Sequence, residues 1–384
     1  MKILTIIGTR PQIIKASAIS RAIKNHFKNA INEIILHTGQ HYDTNMSEVF
    51  FNELKIPKPN YNLNIGSGTH GSQTADMIKG IEEIIVKEQP DCMILYGDTN
   101  STLAGAIAAS KLHCKIVHIE AGLRSYNKTM PEEINRILCD HCSTLLFSPT
   151  KTGYQNLIKE GFAVNNTSPF TADNPKIYYC GDIMFDNTLH FSEIASQKSG
   201  ILKKYNLKKN AYVLATIHRD NNTDNPERLS NIFEAILSIA KNNNIDFVIP
   251  LHPRTTKVLK ENLSSDIYYE LMNNKYIKII EPVSFLDMIE LEKHSILIVT
   301  DSGGVQKEAY FLQKPCIILR PQTEWVELIE HGSSIMADAD VNKIINAANT
   351  LLSNKSTSFP PIFGNGKAAD FICEEILSNF IPIK

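Results

Sequence analysis

Short apolar runs alternate with helix-period segments along almost the whole chain, and this alternation restricts the fold more than any other feature. The runs fall at 3–7, 33–37, 92–96, 115–119, 144–147 and 177–180, then at 212–217, 247–251, 276–280, 296–300 and 316–319. Helical patterns such as 72–87 and 101–112 lie between them. Such βα alternation predicts an α/β fold of parallel sheets with helices on both faces. Sheets of that kind bind ligands beyond the carboxyl ends of their strands. At 384 residues the chain is long for one core, so two domains are expected. Their limits are read as 1–181 and 182–366, with a link around 181–207 and a last helix from 367 crossing back onto the first domain.

The composition narrows the class of partner. Hydrophobic residues make up 43% and charged residues 21%, and the formal net charge is −2 with no long run of like charges. Neither nucleic acid nor a membrane surface is implied. The chain opens on a strand rather than a leader, and no apolar stretch approaches the roughly 20 residues of a membrane span. A cytoplasmic location is the expectation. The cysteines at 92, 114, 139, 142, 180, 316 and 373 are odd in number, which reads as reduced thiols. Cys139-Asp140-His141-Cys142 has metal or redox spacing, but no second pair completes a zinc tetrahedron, and no metal is expected.

Two segments look built for anions. Residues 296–300 (ILIVT) break into Asp301-Ser302-Gly303-Gly304 and then a helix-like stretch. Glycines let backbone approach a ligand closely, and the first helical N–H groups point outward unpaired. Glu308, one turn on, suits a pair of ribose hydroxyls. The second segment opens the chain, where Gly8-Thr9-Arg10-Pro11 follows the first strand and leads into a helix through Lys15. Arg10 and Lys15 there oppose the helix dipole, as cations meant for an anionic ligand would. Both segments also read as ordinary βα turns. Gly66-Ser67-Gly68-Thr69-His70-Gly71 matches the dinucleotide fingerprint, yet follows a poor strand and sits outside the opening βα unit, so it reads as a glycine loop over a site.

Ionisable groups cluster just after strands: Gly97-Asp98, Glu120 through Arg124, His218-Arg219-Asp220 and His252-Pro253-Arg254, with Glu132 and Glu133 opening a helix. Asp98 equally suits a helix cap, Glu133 a pairing with Arg136 or Arg124, and His218 a strand end. Jointly, several carboxylates and a histidine at one rim of a sheet, opposite a nucleotide cradle, look like acid–base equipment.

Gly8-Thr9-Arg10-Pro11 with Lys15, Gly97-Asp98-Thr99, His118-x-Glu120-Ala-Gly-Leu-Arg124, Pro131-Glu132-Glu133-x-Asn135-Arg136 and Asp301-Ser302-Gly303-Gly304-x-Gln306-x-Glu308 together resemble the non-hydrolysing UDP-N-acetylglucosamine 2-epimerases, in order over nearly the whole chain. The resemblance implies two doubly wound Rossmann-like domains with a cleft between them (GT-B type), a homodimer, a UDP-sugar substrate and no cofactor. It implies elimination of UDP to a glycal, then re-addition with the proton delivered to the opposite face. Asp98, Glu120 and Glu132 would be the carboxylates near the sugar and His218 would lie near the phosphates. Arg10, Lys15, Ser302, Gly303 and Gly304 would hold the diphosphate region and Glu308 the ribose.

Some positions depart from the family pattern. Gln12 replaces a common Glu, Arg219-Asp220-Asn221-Asn222 follows His218, and Trp325 stands where many members have an Arg. Gln40-His41-Tyr42-Asp43 differs from the form that lines an activator site. These features look like the branch acting on UDP-2,3-diacetamido-2,3-dideoxyglucuronate, whose extra carboxylate would need a cation; Arg124, Arg254 and Arg320 are the candidates. A nucleotide-sugar glycosyltransferase of the same architecture is the alternative reading.

Overall fold

In the computed structural model, residues 1–40, 57–251, 253–354 and 357–380 are described. The chain divides into two compact units, Met1–Asn187 with Pro361–Lys384, and Thr188–Pro360.

The first unit is a seven-stranded sheet in the order β3-β2-β1-β4-β5-β6-β7, all neighbours parallel. Its strands are β1 Lys2–Ile7, β2 Asn32–His37, β3 Tyr61–Asn62, β4 Cys92–Tyr96, β5 Lys115–Ile119, β6 Leu145–Ser148 and β7 Lys176–Tyr179. A parallel sheet covered on both faces needs strands that are apolar throughout, and β4 (CMILY) is buried at every residue. Leu4, Ile6, Met93 and Leu95 meet Met77, Ile81 and the alanines of the Asn100–Lys111 helix in one layer. The Ala368–Phe380 helix packs on the Arg10–Ala22 helix, where Ile372 and Ile376 are fully buried. Its first turn is capped from a distance: the Asp186 carboxylate accepts from Ala368 N at 3.2 Å and Ala369 N at 2.8 Å.

The second unit is a six-stranded parallel sheet in the order β10-β9-β8-β11-β12-β13. Its strands are β8 Tyr212–Thr216, β9 Asp246–Pro250, β10 Ile277–Ile280, β11 Leu297–Thr300, β12 Cys316–Ile318 and β13 Ser334–Met336. Val213, Ala215, Phe247, Ile249 and Val299 pack against Ile232, Phe233 and Ile236 of the Pro226–Asn243 helix.

The α/β fold with two parallel sheets is as the sequence predicts, and most strand limits differ by a single residue. Two strands escaped sequence reading. β3 and β13 are short edge strands, formed by pairing with β2 and β12 rather than by any strand pattern of their own. The stretch 181–207 is largely helical, with helices Ile183–Lys198 and Ile201–Lys204.

Candidate active site

The seven-stranded sheet reverses its winding between β1 and β4, which are neighbours although β2 lies to one side and β5 to the other. Loops diverge at such a point and leave room for a ligand. The loop after β1 is fitted tightly. A Cβ at Gly8 would stand 2.0 Å from Ser101 Oγ and 2.3 Å from Thr38 Oγ1, so only glycine passes between them. The following helix starts at Arg10, one residue earlier than Pro11 suggests, and Arg10 is exposed at its first turn. Gln12 is an internal brace: its oxygen accepts from Gly8 N at 2.9 Å, and its nitrogen donates to Tyr96 O and Thr102 Oγ1, both at 3.0 Å. An ionised Glu could accept the first bond but not donate to the Tyr96 carbonyl.

Glu120 follows β5 in a left-handed backbone, φ 72°. That conformation costs a residue with a Cβ about 1–3 kcal/mol and calls for support from the surroundings. The N–H groups of Glu120 and Ala121 provide it by donating to the Phe147 carbonyl, each at 3.1 Å. The turn brings the carboxylate over Gly97, itself at φ 61°, where a Cβ would lie 3.0 Å from Glu120 Oε2 and 3.1 Å from Lys15 Nζ. Lys15 closes the group by donating from Nζ to Glu120 Oε2. The ammonium expected at a diphosphate is thus set on a carboxylate.

Behind this group lies a buried charge network. His118 Nε2 is 2.8 Å from the Gly97 carbonyl and Nδ1 is 2.6 Å from Asp140 Oδ1. A carbonyl only accepts, and Asp140 is an ionised carboxylate, so both ring nitrogens donate and His118 is an imidazolium. Burial opposes that charge, but Cys139 and Asp140 outweigh it and hold His118 well above its ordinary value. Asp140 is buried too, and its carboxyl lies below the usual range because His118 and Arg124 overcome the burial. Arg124 Nη2 is 2.7 Å from Asp140 Oδ2, and its fork grips Glu160 at 2.7 and 2.6 Å.

Asp98 is anchored to the helix Pro131–Cys142. Arg136 donates to Asp98 Oδ2 from Nε at 2.9 Å and approaches it through Nη2 at 2.6 Å. Asn135 Nδ2 donates to the Asp98 carbonyl at 2.8 Å. Arg136 Nη1 also donates to Glu133 at 2.7 Å, and Glu133 accepts the Ser125 and Tyr126 N–H groups at 2.9 Å each. Glu133 therefore organises the loop before the helix. Glu132, its neighbour, is exposed in the same first turn.

The second sheet repeats the switch between β8 and β11. Asp301, fully buried, ties the two strand ends together. Its carboxylate accepts the N–H groups of His218 and Arg219, both at 3.1 Å, and Asn222 Nδ2 at 3.1 Å. His218 is half-exposed, with Nδ1 3.6 Å from Asp301 Oδ1. Ser302 caps the helix Gly303–Phe311, its Oγ accepting from Val305 N at 3.4 Å, while Gly303 and Gly304 form the first helical residues and Glu308 is half-buried further along. A Cβ on Gly303 would lie 3.5 Å from Arg320 Nη1 and 3.8 Å from Trp325 Nε1. Lys307 Nζ stands 4.2 Å from the Trp325 ring centre.

Residues 66–71 run into the helix His70–Glu88 and stand beside the switch point: Gln73 Nε2 donates to the Gly66 carbonyl at 2.9 Å, and Asn100, just after β4, lies 3.1 Å from His70 Nδ1 and donates to Gln73 Oε1 at 3.0 Å. Three sequence expectations change. The carboxylates and the histidine do not share a rim, because Asp98 and Glu120 end strands of one sheet and His218 ends a strand of the other. Arg124 spends its fork on Glu160 and Asp140, and Arg320 spends its own on Glu324 at 3.1 and 3.0 Å. The side chain of Arg254 lies outside the described residues, as do His252 and His41 through Asp43. In the sequence Asp301 is simply the first residue of the glycine turn and of the motif that follows 296–300. Its partners are about 80 residues away in sequence, and no local pattern announces them.

Two doubly wound parallel sheets, each with a polar loop set at its switch point, define a two-Rossmann-domain protein of the GT-B-like class. The family model described as UDP-N-acetylglucosamine 2-epimerase matches residues 22–377. The chain belongs to the UDP-N-acetylglucosamine 2-epimerase family. It is 48% identical over 374 residues to the UDP-2,3-diacetamido-2,3-dideoxy-D-glucuronate 2-epimerase of Pseudomonas aeruginosa, covering 97% of this chain and 99% of that one. It is 46% identical over 374 residues to the UDP-N-acetylglucosamine 2-epimerase of Methanocaldococcus jannaschii, covering 97% and 98%. A crystal structure of UDP-GlcNAc 2-epimerase from M. jannaschii, in complex with UDP-GlcNAc and UDP, matches with a TM-score of 0.83 and 45% identity over 98% of this chain and 100% of that one.

Proposed function

We propose that this chain inverts C2 of a UDP-2-acetamido sugar by eliminating UDP and adding it back. The observation that carries the reading is the pairing of Glu120 with Lys15 over Gly97, one strand from an Asp98 held by Arg136. Two carboxylates fixed independently at adjacent strand ends suit a reaction that takes a proton from one face and returns one to the other. A sugar C2–H beside no carbonyl is barely acidic. Loss of the diphosphate leaves positive charge at C1 and makes that proton removable, so the enzyme must hold both the glycal and free UDP.

In this reading Asp98, Glu120 and Glu132 are the proton-transfer groups. His218 meets the phosphates, Arg10, Lys15, Ser302, Gly303 and Gly304 bind the diphosphate region, and Glu308 receives the ribose. The helix start at Gly303 supports the anion role through its outward N–H groups. UDP-N-acetylglucosamine and its 2,3-diacetamido-glucuronate analogue are the two substrates to compare, and their kcat/KM ratio assigns the branch. The family resemblance also carries the proposal of a cytoplasmic homodimer, which light scattering on the purified chain tests in its oligomeric part.

Turnover in D2O is the decisive experiment. Elimination and re-addition place deuterium at C2 of the product, and long incubation labels the substrate pool as well. Product without deuterium at C2 would overturn the mechanism. Consumption of the UDP-sugar only when an acceptor is present, with C2 unchanged, would favour a glycosyltransferase.

A further inference from the structure

Residues 66–71, between β3 and the helix His70–Glu88, carry three glycines. A Cβ on Gly66, Gly68 or Gly71 would meet nothing within 4 Å among the described residues, and none of the three has a left-handed backbone. Neither packing nor strain demands glycine there, and the space around the loop is open. His70, the one ionisable side chain of the loop, is exposed. Its imidazole is nevertheless held: Nδ1 lies 3.1 Å from Nδ2 of Asn100, a buried residue two places after Asp98.

The hydrogen bonds around Asn100 decide which nitrogen of His70 carries the proton. Gln73 Nε2 donates to the Gly66 carbonyl at 2.9 Å, and a carbonyl only accepts, so the sense of the Gln73 amide is fixed. Its oxygen therefore faces Asn100 and accepts from Nδ2 at 3.0 Å. Asn135 orients Asn100 from the other side. Its Nδ2 donates to the Asp98 carbonyl at 2.8 Å and approaches Asn100 Oδ1 at 3.5 Å. Asn100 Nδ2 is thus a donor toward both Gln73 and His70. A ring nitrogen that accepts carries no proton, so His70 is neutral with its hydrogen on Nε2. That N–H has no partner among the described residues.

We propose that His70 is a sugar-binding residue: its Nε2–H donates to an uncharged oxygen of the sugar, a hydroxyl or an acetamido carbonyl, on the Asp98 side of the site. The inference rests on the function proposed above, which sets the sugar beside Asp98. The amides of Asn135 and Asn100 join the Asp98 carbonyl to the imidazole, so donor and proton carrier belong to one hydrogen-bonded unit. Their spacing is set before substrate arrives. Protonation of Nδ1 would bring two donors face to face, so Asn100 also keeps the ring uncharged. UDP alone has no sugar and offers this donor nothing to hold.

Calorimetry on the full chain with UDP, UDP-N-acetylglucosamine and its 2,3-diacetamido-glucuronate analogue tests this. For the UDP sugar that the parent binds more tightly, His70→Ala and His70→Phe should weaken binding about tenfold, the scale of one hydrogen bond. UDP itself should stay within about twofold. His70→Gln, whose amide can still donate, should hold the UDP sugar within about threefold of the parent. Nitrogen-15 NMR of the histidine-labelled chain, with the His70 signals assigned by their loss in His70→Gln, should show the proton on Nε2 and none on Nδ1. A proton on Nδ1 would overturn the donor. Unchanged binding of the UDP sugar in His70→Ala and His70→Phe would overturn the sugar contact. Equal weakening of UDP and the UDP sugar would mark His70 as merely structural and also overturn it. Product formed in D2O without deuterium at C2 would overturn the epimerase mechanism instead, and the contrast between UDP sugar and UDP would still decide the role of His70.

Discussion

The Lys15 ammonium sits on the Glu120 carboxylate directly over the left-handed turn at Gly97, joining the first helix of the chain to the end of β5. Neither charge is in water on equal terms, since Glu120 is only 5% exposed. The pair fixes the position of the carboxylate at the end of β5.

Removal of that carboxylate should stop chemistry before it stops binding. Glu120→Gln and Asp98→Asn should each lower kcat on the order of a hundredfold or more, the scale of general acid–base catalysis. Glu132→Gln tests the third candidate in the same assay. Retention of near-parental kcat by all three would remove the proton-transfer assignments.

Arg136 is the clamp on Asp98, and a lysine cannot reproduce its planar fork. Arg136→Lys should cost at least about tenfold in kcat while UDP affinity holds, because the aim of Asp98 is lost rather than the nucleotide site. Steady-state kinetics beside a UDP titration separates the two effects.

Glu308→Gln keeps the shape of the side chain and deletes its charge. UDP binding should weaken by about 1.5–3 kcal/mol, the range for a hydrogen bond to a charged group. Isothermal titration reads this directly, and unchanged affinity in a folded variant would count against the ribose contact.

The His118 imidazolium makes stability depend on pH. Its folded value lies above the unfolded one, because Cys139 and Asp140 outweigh the burial that opposes the charge. Its contribution is therefore fully present below about pH 6.5, the unfolded value, and is lost as pH rises through the folded value. Thermal melts taken from about pH 6 upward should decline more steeply for the parent than for His118→Gln. Parallel slopes would remove the charged-histidine account.

Gly8→Ala forces a methyl group to within 2.0 Å of Ser101 Oγ. Overpacking at such a site typically costs about 1–3 kcal/mol. A urea titration should show that loss as a lower midpoint with little change in slope.

The strands were legible because a doubly covered parallel sheet demands apolar residues throughout, so β4 and β5 announce themselves in Cys92–Tyr96 and Lys115–Ile119. The loops at their ends were legible as polar breaks, which put Asp98, Glu120 and Ser302 among the candidates. What sequence could not show is which break faces which. Lys15 meets Glu120 across 105 positions, and Asp301 receives His218 across 83; helical and strand periods carry no trace of such pairings. Arg124 shows the same limit from the other side. Its position after a strand suggested a ligand cation, and only the structure reveals Glu160 and Asp140 already in its grasp.

The helix Ala368–Phe380 completes the unit that begins with β1, although the whole second sheet is interposed in sequence. That unit is therefore discontinuous, and no single cut can excise it whole. A fragment stopped at Asn187 would bare the side of the Arg10–Ala22 helix that Ile372 and Ile376 cover, and would leave Asp186 facing water instead of two backbone amides. Shuffling sheets between relatives thus requires two junctions, one on each side of the inserted unit. During synthesis, the side of the Arg10–Ala22 helix that Ile372 and Ile376 cover must stay bare until the helix Ala368–Phe380 has emerged.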